Sequence, residues 1–321
     1  MKLNVPEEVI TFLKEKDDFL IATHINPEGD AIGSSIALAI ALESMGKRVI
    51  VYDRDEIPYF YRFLPGYERF VNSFSDLRSQ DFHLVLLDCN DPDRAGLKNL
   101  VEENQPFTVI IDHHETQKEF GDLRWIVPSA SATGQLVYHL IKAMGIEVSR
   151  DMATNLYTAI AIDTGTFRYS NTYASTLHDA SELIEAGADP AFISTSLYNV
   201  WSRGRFELLV LMLNTMEITD GIAVTFVTGE MFKKTATTPA DTENFANFPM
   251  MTADVSVSAL FREIEDGWKV SLRSKGEINV AKIAEVFGGG GHRNAAGYKV
   301  KGNLDEVKKS LLREAFSLGI K

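Results

Sequence analysis

Four short stretches of this chain combine acids and histidines in a way that could hold metal. His24, Glu28 and Asp30 fall together in HINPEGDAIGS, Asp88 in LVLLDCND, Asp112, His113 and His114 in VIIDHHE, and Asp163 in AIDTGTF. A lone aspartate after a strand is usually a cap or turn residue, and a lone His-His pair is usually polar surface. Four such pieces, each at the end of an apolar run, are harder to dismiss. Carboxylates brought together repel and lose hydration unless a positive charge holds them. Mixed carboxylate and imidazole donors suit Mn²⁺, Fe²⁺, Co²⁺ or Zn²⁺, and the lack of thiolates argues against a structural zinc site. Six or seven converging donors exceed what one catalytic ion with open positions needs. Two ions sharing a bridging carboxylate is the economical reading.

The elements that must position these groups follow from periodicity. Residues 19–23, 48–52, 84–88 and 108–112 are compact, β-branched runs of the kind found in buried parallel strands. Helical patterns cover 31–45, stopped by Gly46, then 132–144, stopped by Gly145, then 152–162, and 175–186, stopped by Gly187. Strands alternating with helices predict an α/β domain, a parallel sheet flanked by helices, over residues 1–190. The acids and histidines would then share the carboxyl edge of that sheet, where such folds place their sites.

Residues 191–213 read as a helical connector packed through Phe192, Tyr198, Trp201 and Phe206. Beyond it the character changes to a smaller α+β domain, 214–321. Its expected parts are a strand at 222–228, a hairpin of 255–262 and 268–274 around Glu265-Asp266-Gly267, and a short helix at 279–287. A glycine run at 288–291, a strand at 298–301 and a helix at 304–318 complete it. The polar stretch 233–247 reads as an irregular loop.

Composition narrows the function classes. The 321 residues carry 32 Lys and Arg against 45 Asp and Glu, a formal charge of −13. Such a balance argues against binding long nucleic acid and leaves room for a small anionic substrate held by cations. Residues 262–301 hold eight basic against five acidic side chains, a local +3. The single cysteine, Cys89, excludes an intrachain disulfide and suits a reducing cytoplasm. No signal-like leader and no run of about 18 apolar residues is present, so neither export nor a membrane is expected.

At this level the resemblance is plain. HINPEGDAIGS, LLDCND, IDHH and IDTGTF are similar, in order, to the four motifs of the DHH phosphoesterase superfamily. FGGGGHRNAAG resembles the glycine-rich signature of the DHH-associated domain. The layout resembles that of the branch of compact oligoribonucleases and 3′-phosphoadenosine 5′-phosphate phosphatases. The resemblance implies that His24, Glu28 and Asp88 hold one divalent cation, and that Asp30, His113, Asp163 and the bridging Asp88 hold another. Manganese is the first expectation, with Mg²⁺, Co²⁺ or Fe²⁺ as alternatives. It further implies that His114 faces the substrate phosphate and that Asp112 orients a ligand histidine. Glu28 departs from the pattern, which usually has Asp there.

The resemblance also implies that the second domain grips the substrate. Gly289, Gly290, Gly291 and His292 lie in its signature, and Arg273 and Ser274, with Arg262 behind them, are the expected phosphate or base contacts. A gripping wall at fixed distance would favour a few nucleotides over a long strand. Arg94, Arg168 and Ser170 are further candidates near the motifs, whereas His83, His139 and His178 read as structural or solvated. The expected activity is hydrolysis of short oligoribonucleotides or 3′-phosphoadenosine 5′-phosphate, with cyclic-di-AMP or pApA as the alternative substrate. A non-catalytic nucleotide-binding module is the reading from another class, and a homodimer is left open.

Overall fold

The apolar runs of the first half assemble as parallel strands. The computed structural model describes residues 3–73, 82–115, 118–198 and 201–319, in two units, Met1–Val200 and Trp201–Lys321. The first unit opens with α1 (Glu7–Glu15), β1 (Asp18–Ala22), α2 (Gly29–Ser44), β2 (Arg48–Tyr52) and β3 (Phe70–Val71). It continues with β4 (His83–Leu87), α3 (Lys98–Asn104), β5 (Thr108–Asp112) and β6 (Leu123–Ile126). Four helices close it: α4 (Thr133–Ala143), α5 (Arg150–Asp163), α6 (Ala174–Glu185) and α7 (Pro190–Tyr198). The short strands β3 and β6 are additions to the four expected from sequence. Two residues, or a run as polar as Leu-Arg-Trp-Ile, give little periodic signal.

The strand order is β3-β2-β1-β4-β5-β6, parallel throughout. The chain winds outward from β1 in one direction and from β4 in the other, so the order reverses between β1 and β4. The crevice beyond the carboxyl ends at such a reversal is where open α/β sheets hold ligands. His24 lies just past β1 and Asp88 just past β4, at that point.

One face of the sheet is covered by α2, α4 and α5 in a single apolar cluster, and the other by α3. Helix α2 is buried on nearly every side, from Gly29 to Leu42 with Ile40 partly exposed. Its contact with α5 is close: a Cβ on Gly33 would lie 2.4 Å from the Asn155 carbonyl oxygen. Only glycine permits that approach. It brings the start of α2, with Asp30, toward the end of α5, with Asp163.

The second unit contains α8 (Arg203–Leu213), β7 (Glu217–Thr219), β8 (Ile222–Val227), α9 (Gly229–Thr235), β9 (Val257–Ile264) and β10 (Gly267–Ser274). It ends with α10 (Ala281–Val286), β11 (Gly290–His292), β12 (Ala295–Val300) and α11 (Leu304–Ser317). The sheet order is β11-β12-β10-β9-β8-β7, with only the β8–β9 pair parallel. Helices α10 and α11 pack on one face, and α8 with the segment around Phe245 on the other.

Three details differ from the sequence-based expectations. The stretch 233–247 is anchored rather than loose, because Phe245 is fully buried between α8 and the sheet. The glycine run is no open loop: Gly290, Gly291 and His292 pair with Gly297, Ala296 and Ala295. The stretch 191–213 is divided, with Ile193 and Leu197 of α7 in the first core and Leu208, Leu209 and Met212 of α8 in the second. Residues 199 and 200 of it lie outside the described residues. Among the described residues no helix is long and apolar enough to cross a membrane.

Candidate metal centre

The loop that leaves β1 carries the first donors. The His24 Nδ1 lies 3.0 Å from its neighbour's carbonyl, Ile25 O. A carbonyl can only accept, so Nδ1 carries a proton, and in the neutral ring Nε2 keeps its lone pair, the arrangement of a metal-binding histidine. That Nε2 is 3.4 Å from Asp88 Oδ2. The loop is held from both sides: Ile25 N donates to Arg94 O at 2.8 Å, and Asn26 N donates to Asp55 Oδ2 at 2.8 Å. Glu28 caps the start of α2 and makes no side-chain capping bond. One donor atom each from His24, Glu28 and Asp88 lies within 4.8 Å of the others. Asp88 itself has φ of 56°, a left-handed conformation uncommon outside glycine and concentrated at functional sites.

A second group gathers beside it. Asp30, fully buried in the first turn of α2, accepts from Ser34 Oγ at 3.1 Å, Thr133 N at 2.7 Å and Gly134 N at 2.8 Å. The last two are the free amides at the start of α4, a favourable seat for an anion. His113 Nδ1 faces Ala130 O at 3.2 Å, so its Nε2 also points its lone pair inward. That Nε2 lies 3.6 Å from Asp30 Oδ2, 3.5 Å from Asp88 Oδ1 and 3.5 Å from Asp163 Oδ2. Donors about 2.0–2.2 Å from a common ion sit roughly 3–3.5 Å apart, so the spacing is close to what a cation needs. Asp163 ends α5, and Asn171 Nδ2 donates both to its carbonyl at 3.2 Å and to Ser131 O at 3.0 Å.

The electrostatics agree with the geometry. Burial would depress the His24 imidazolium, yet its contact with Asp88, helped by Glu28, lifts it to about 9. Burial likewise opposes His113, and the charges of Asp163, Asp88 and Asp30 overcome it and raise it. Burial, then repulsion from Asp88, holds Asp30 well above the usual carboxylate range. Burial raises Asp163 as well, with His113 pulling against it. Burial acts on Asp88 in the same direction, but the three surrounding imidazoles outweigh it and hold that carboxyl down. Protons are being drawn into a crowd of negative groups. Divalent cations would supply the same positive charge with the imidazoles neutral, so the donor set fits them.

The Asp112–His114 pair differs from the expectation drawn from the motif. Asp112 does not reach either candidate ligand histidine. Its Oδ1 accepts from the His114 amide at 3.0 Å and contacts His114 Nδ1 at 2.7 Å, while Asn90 Nδ2 donates to Oδ2 at 2.5 Å. The side chain folds forward over the backbone two residues on, as aspartates do in turns, which leaves only the ring of residue 114 within reach. Carbonyls, those of Ile25 and Ala130, orient the other two rings. Burial would raise Asp112, and the His114 contact overrides it and lowers the carboxyl.

In the second unit the expected substrate residues have partners of their own. Arg273 Nε donates to Asn247 Oδ1 at 3.1 Å, and Ser274 Oγ donates to Ile278 O at 2.7 Å. Arg262 has one guanidinium nitrogen 2.8 Å from Pro239 O and 3.3 Å from Thr242 Oγ1. Arg273 and His292 both pair with Ala295, from β10 and β11, and so fall in one row across the sheet. Gly289 is required by packing, since a Cβ there would lie 2.2 Å from Gly297 O. Gly290 and Gly291 are exposed.

Of the remaining candidates, Arg94 is exposed, Ser170 is exposed, and Arg168 Nε bonds Gly165 O at 2.7 Å. His139 pairs with Asp179 at 3.0 Å, His178 with Glu182 at 3.9 Å, and His83 packs edge-on against Phe12. Cys89 is buried, which pushes its thiol up to about 12 and makes it a poor nucleophile. Sequence reading missed Thr133, Asn171, Asn90 and Asp55. A run of small residues before α4, Ser-Ala-Ser-Ala-Thr-Gly, was the available hint of a helix start bonding to something.

Comparison with known proteins gives the family. The DHH family N-terminal domain matches residues 18–160, and the DHHA1 domain matches 220–317. The bifunctional oligoribonuclease and PAP phosphatase NrnA of Thermus thermophilus is 36% identical over 293 residues, 91% of this chain and 87% of that one. The chain belongs to the DHH family. An exopolyphosphatase-related protein from Bacteroides fragilis superposes on this DHH protein with a TM-score of 0.92, at 29% identity and 99% coverage of both chains. RecJ of Thermus thermophilus in complex with Mn²⁺ shares the fold at a TM-score of 0.58 and 15% identity, covering all of this chain and 56% of RecJ.

Proposed function

We propose that this DHH protein is a cytoplasmic phosphoesterase that hydrolyses short oligoribonucleotides and 3′-phosphoadenosine 5′-phosphate with two divalent cations, Mn²⁺ first among them. One observation carries the reading: two donor groups share Asp88, with Oδ2 beside His24 and Oδ1 beside His113. His24, Glu28 and Asp88 would hold one ion, and Asp30, His113, Asp163 and Asp88 the other. Such ions activate water at neutral pH and neutralise charge on the phosphoryl oxygens.

The chain's own groups do the rest. Ile25 O and Ala130 O keep the His24 and His113 protons on Nδ1. Asp112, held anionic and braced by Asn90, fixes the His114 proton on Nδ1, which leaves Nε2 to meet the substrate. In the second unit Arg273, His292 and the exposed backbone of Gly290 and Gly291 offer donors to a nucleotide, with Ser274 and Arg262 supporting that surface. The 36%-identical relative is named as an oligoribonuclease and PAP phosphatase, and the ion in the RecJ complex is one this donor set accepts. The charge of −13 favours substrates of a few nucleotides over long strands.

The test is a Mn²⁺-supplemented panel of pApA, short RNAs, a twenty-nucleotide RNA, 3′-phosphoadenosine 5′-phosphate and cyclic-di-AMP. Dinucleotides and 3′-phosphoadenosine 5′-phosphate should turn over faster than the twenty-mer, and Asp88→Ala should lower the rate by at least about a thousandfold. A preference for the long strand, or turnover of cyclic-di-AMP alone, would overturn the substrate assignment. Near-wild-type turnover by Asp88→Ala would overturn the site.

A further inference from the structure

We infer that Thr133 is a positioning residue that fixes which oxygen of Asp88 is presented to each half of the metal centre; the inference rests on the two-ion reading above. Thr133 is fully buried and opens α4. Its backbone amide donates to Asp30 Oδ2 at 2.7 Å, and its hydroxyl donates to Asp88 Oδ1 at 2.9 Å. One residue therefore ties together two carboxylates that come from α2 and from the end of β4.

The two contacts do different things. The amide bond belongs to the backbone and survives any substitution but proline. The hydroxyl bond sets a plane. Asp88 Oδ2 lies 3.4 Å from His24 Nε2, whereas Oδ1 lies 3.5 Å from His113 Nε2. Rotation of the carboxylate about its last torsion would take both oxygens off their partners. That torsion is broad and soft, so it needs an external hold. Imidazoles aside, the Thr133 hydroxyl is the one donor to this carboxylate among the described residues. A hydroxyl orients without neutralising, so the full negative charge stays available for cations. A lysine or arginine in its place would compete with the ions for that charge.

The experiment is Mn²⁺ titration of the metal-free protein by calorimetry and electron paramagnetic resonance, with the melting temperature of the metal-free form alongside. Wild type should bind two equivalents. Thr133→Val keeps the shape and the amide but loses the hydroxyl, and Thr133→Ala removes the hydroxyl without the valine methyl. Both should weaken binding of at least one equivalent by about ten- to a hundredfold, as loss of a group behind a metal ligand does. Thr133→Ser, which restores the hydroxyl, should bind within about twofold of wild type. Valine and alanine variants with wild-type isotherms, or a serine variant as weak as they are, would overturn the inference. So would melting temperatures that fall while the isotherms stay put, the mark of a merely structural residue. A wild-type protein that bound fewer than two ions would sink the two-ion reading instead, and the two failures are distinct.

Discussion

The two donor groups of the centre are made of different material. Asp30, His113 and Asp163 are tied to helix ends: Asp30 to the amides that open α4, His113 to the turn just before it, Asp163 to the last turn of α5. The Asp30 carboxylate accepts three hydrogen bonds and is wholly buried. His24 and Glu28 instead ride on the loop of residues 23–28, whose backbone bonds Arg94 O at one point and the Asp55 carboxylate at another. Asn26 in that loop has φ of 57°, a conformation asparagine tolerates. The first group is bonded at more points than the second. The longer acidic side chain, that of Glu28, sits on the loop side of the centre.

If the contrast is real, equal chemical changes should cost unequal amounts. Asp30→Asn puts an amide against three donors in a site that cannot move, and should lower turnover by at least about a hundredfold, whereas Glu28→Gln should cost about tenfold. Parallel kcat and Mn²⁺ affinity measurements would show it, and equal losses would break the comparison. Asp55→Ala cuts the loop's tether without touching a donor. Mn²⁺ binding should weaken about three- to tenfold while the dependence on Asp30 stays unchanged, a smaller effect than loss of a ligand.

The smallest effect concerns Asp53, which lies behind the adjustable loop. It is fully buried, its Oδ1 accepts Asp55 N at 2.7 Å, and its Oδ2 has no partner. Burial pushes its carboxyl up to about 7. The folded protein therefore holds this proton more tightly than the unfolded chain, whose aspartate titrates near about 3.9. Stability from this group is greatest at acid pH, falls as pH rises from about 4 to 7, and is level above that. Asp53→Asn removes the buried charge. The metal-free variant should melt about 2–4 °C above wild type at pH 8 and show a smaller gain at pH 5. A gain that grew toward acid pH would contradict the sign.

Much of this was legible in the order of amino acids. All six candidate ligands stand at the ends of strands or helices, where burial periodicity stops and polar side chains begin, and periodicity is a local property. The four longer parallel strands and the helices between them could be read for the same reason. What packing alone settled lies at long range. Thr133 and Gly134 reach Asp30 across more than a hundred residues, and Asn171 joins the end of α5 to Ser131. The ring that Asp112 holds, the strand made from the glycine run, and the partners of Arg262 were decided in the same way. Periodicity reports whether a side chain is buried. Which donor meets which acceptor depends on how α2, α4 and α5 close against one another, a result of shape that no local pattern carries.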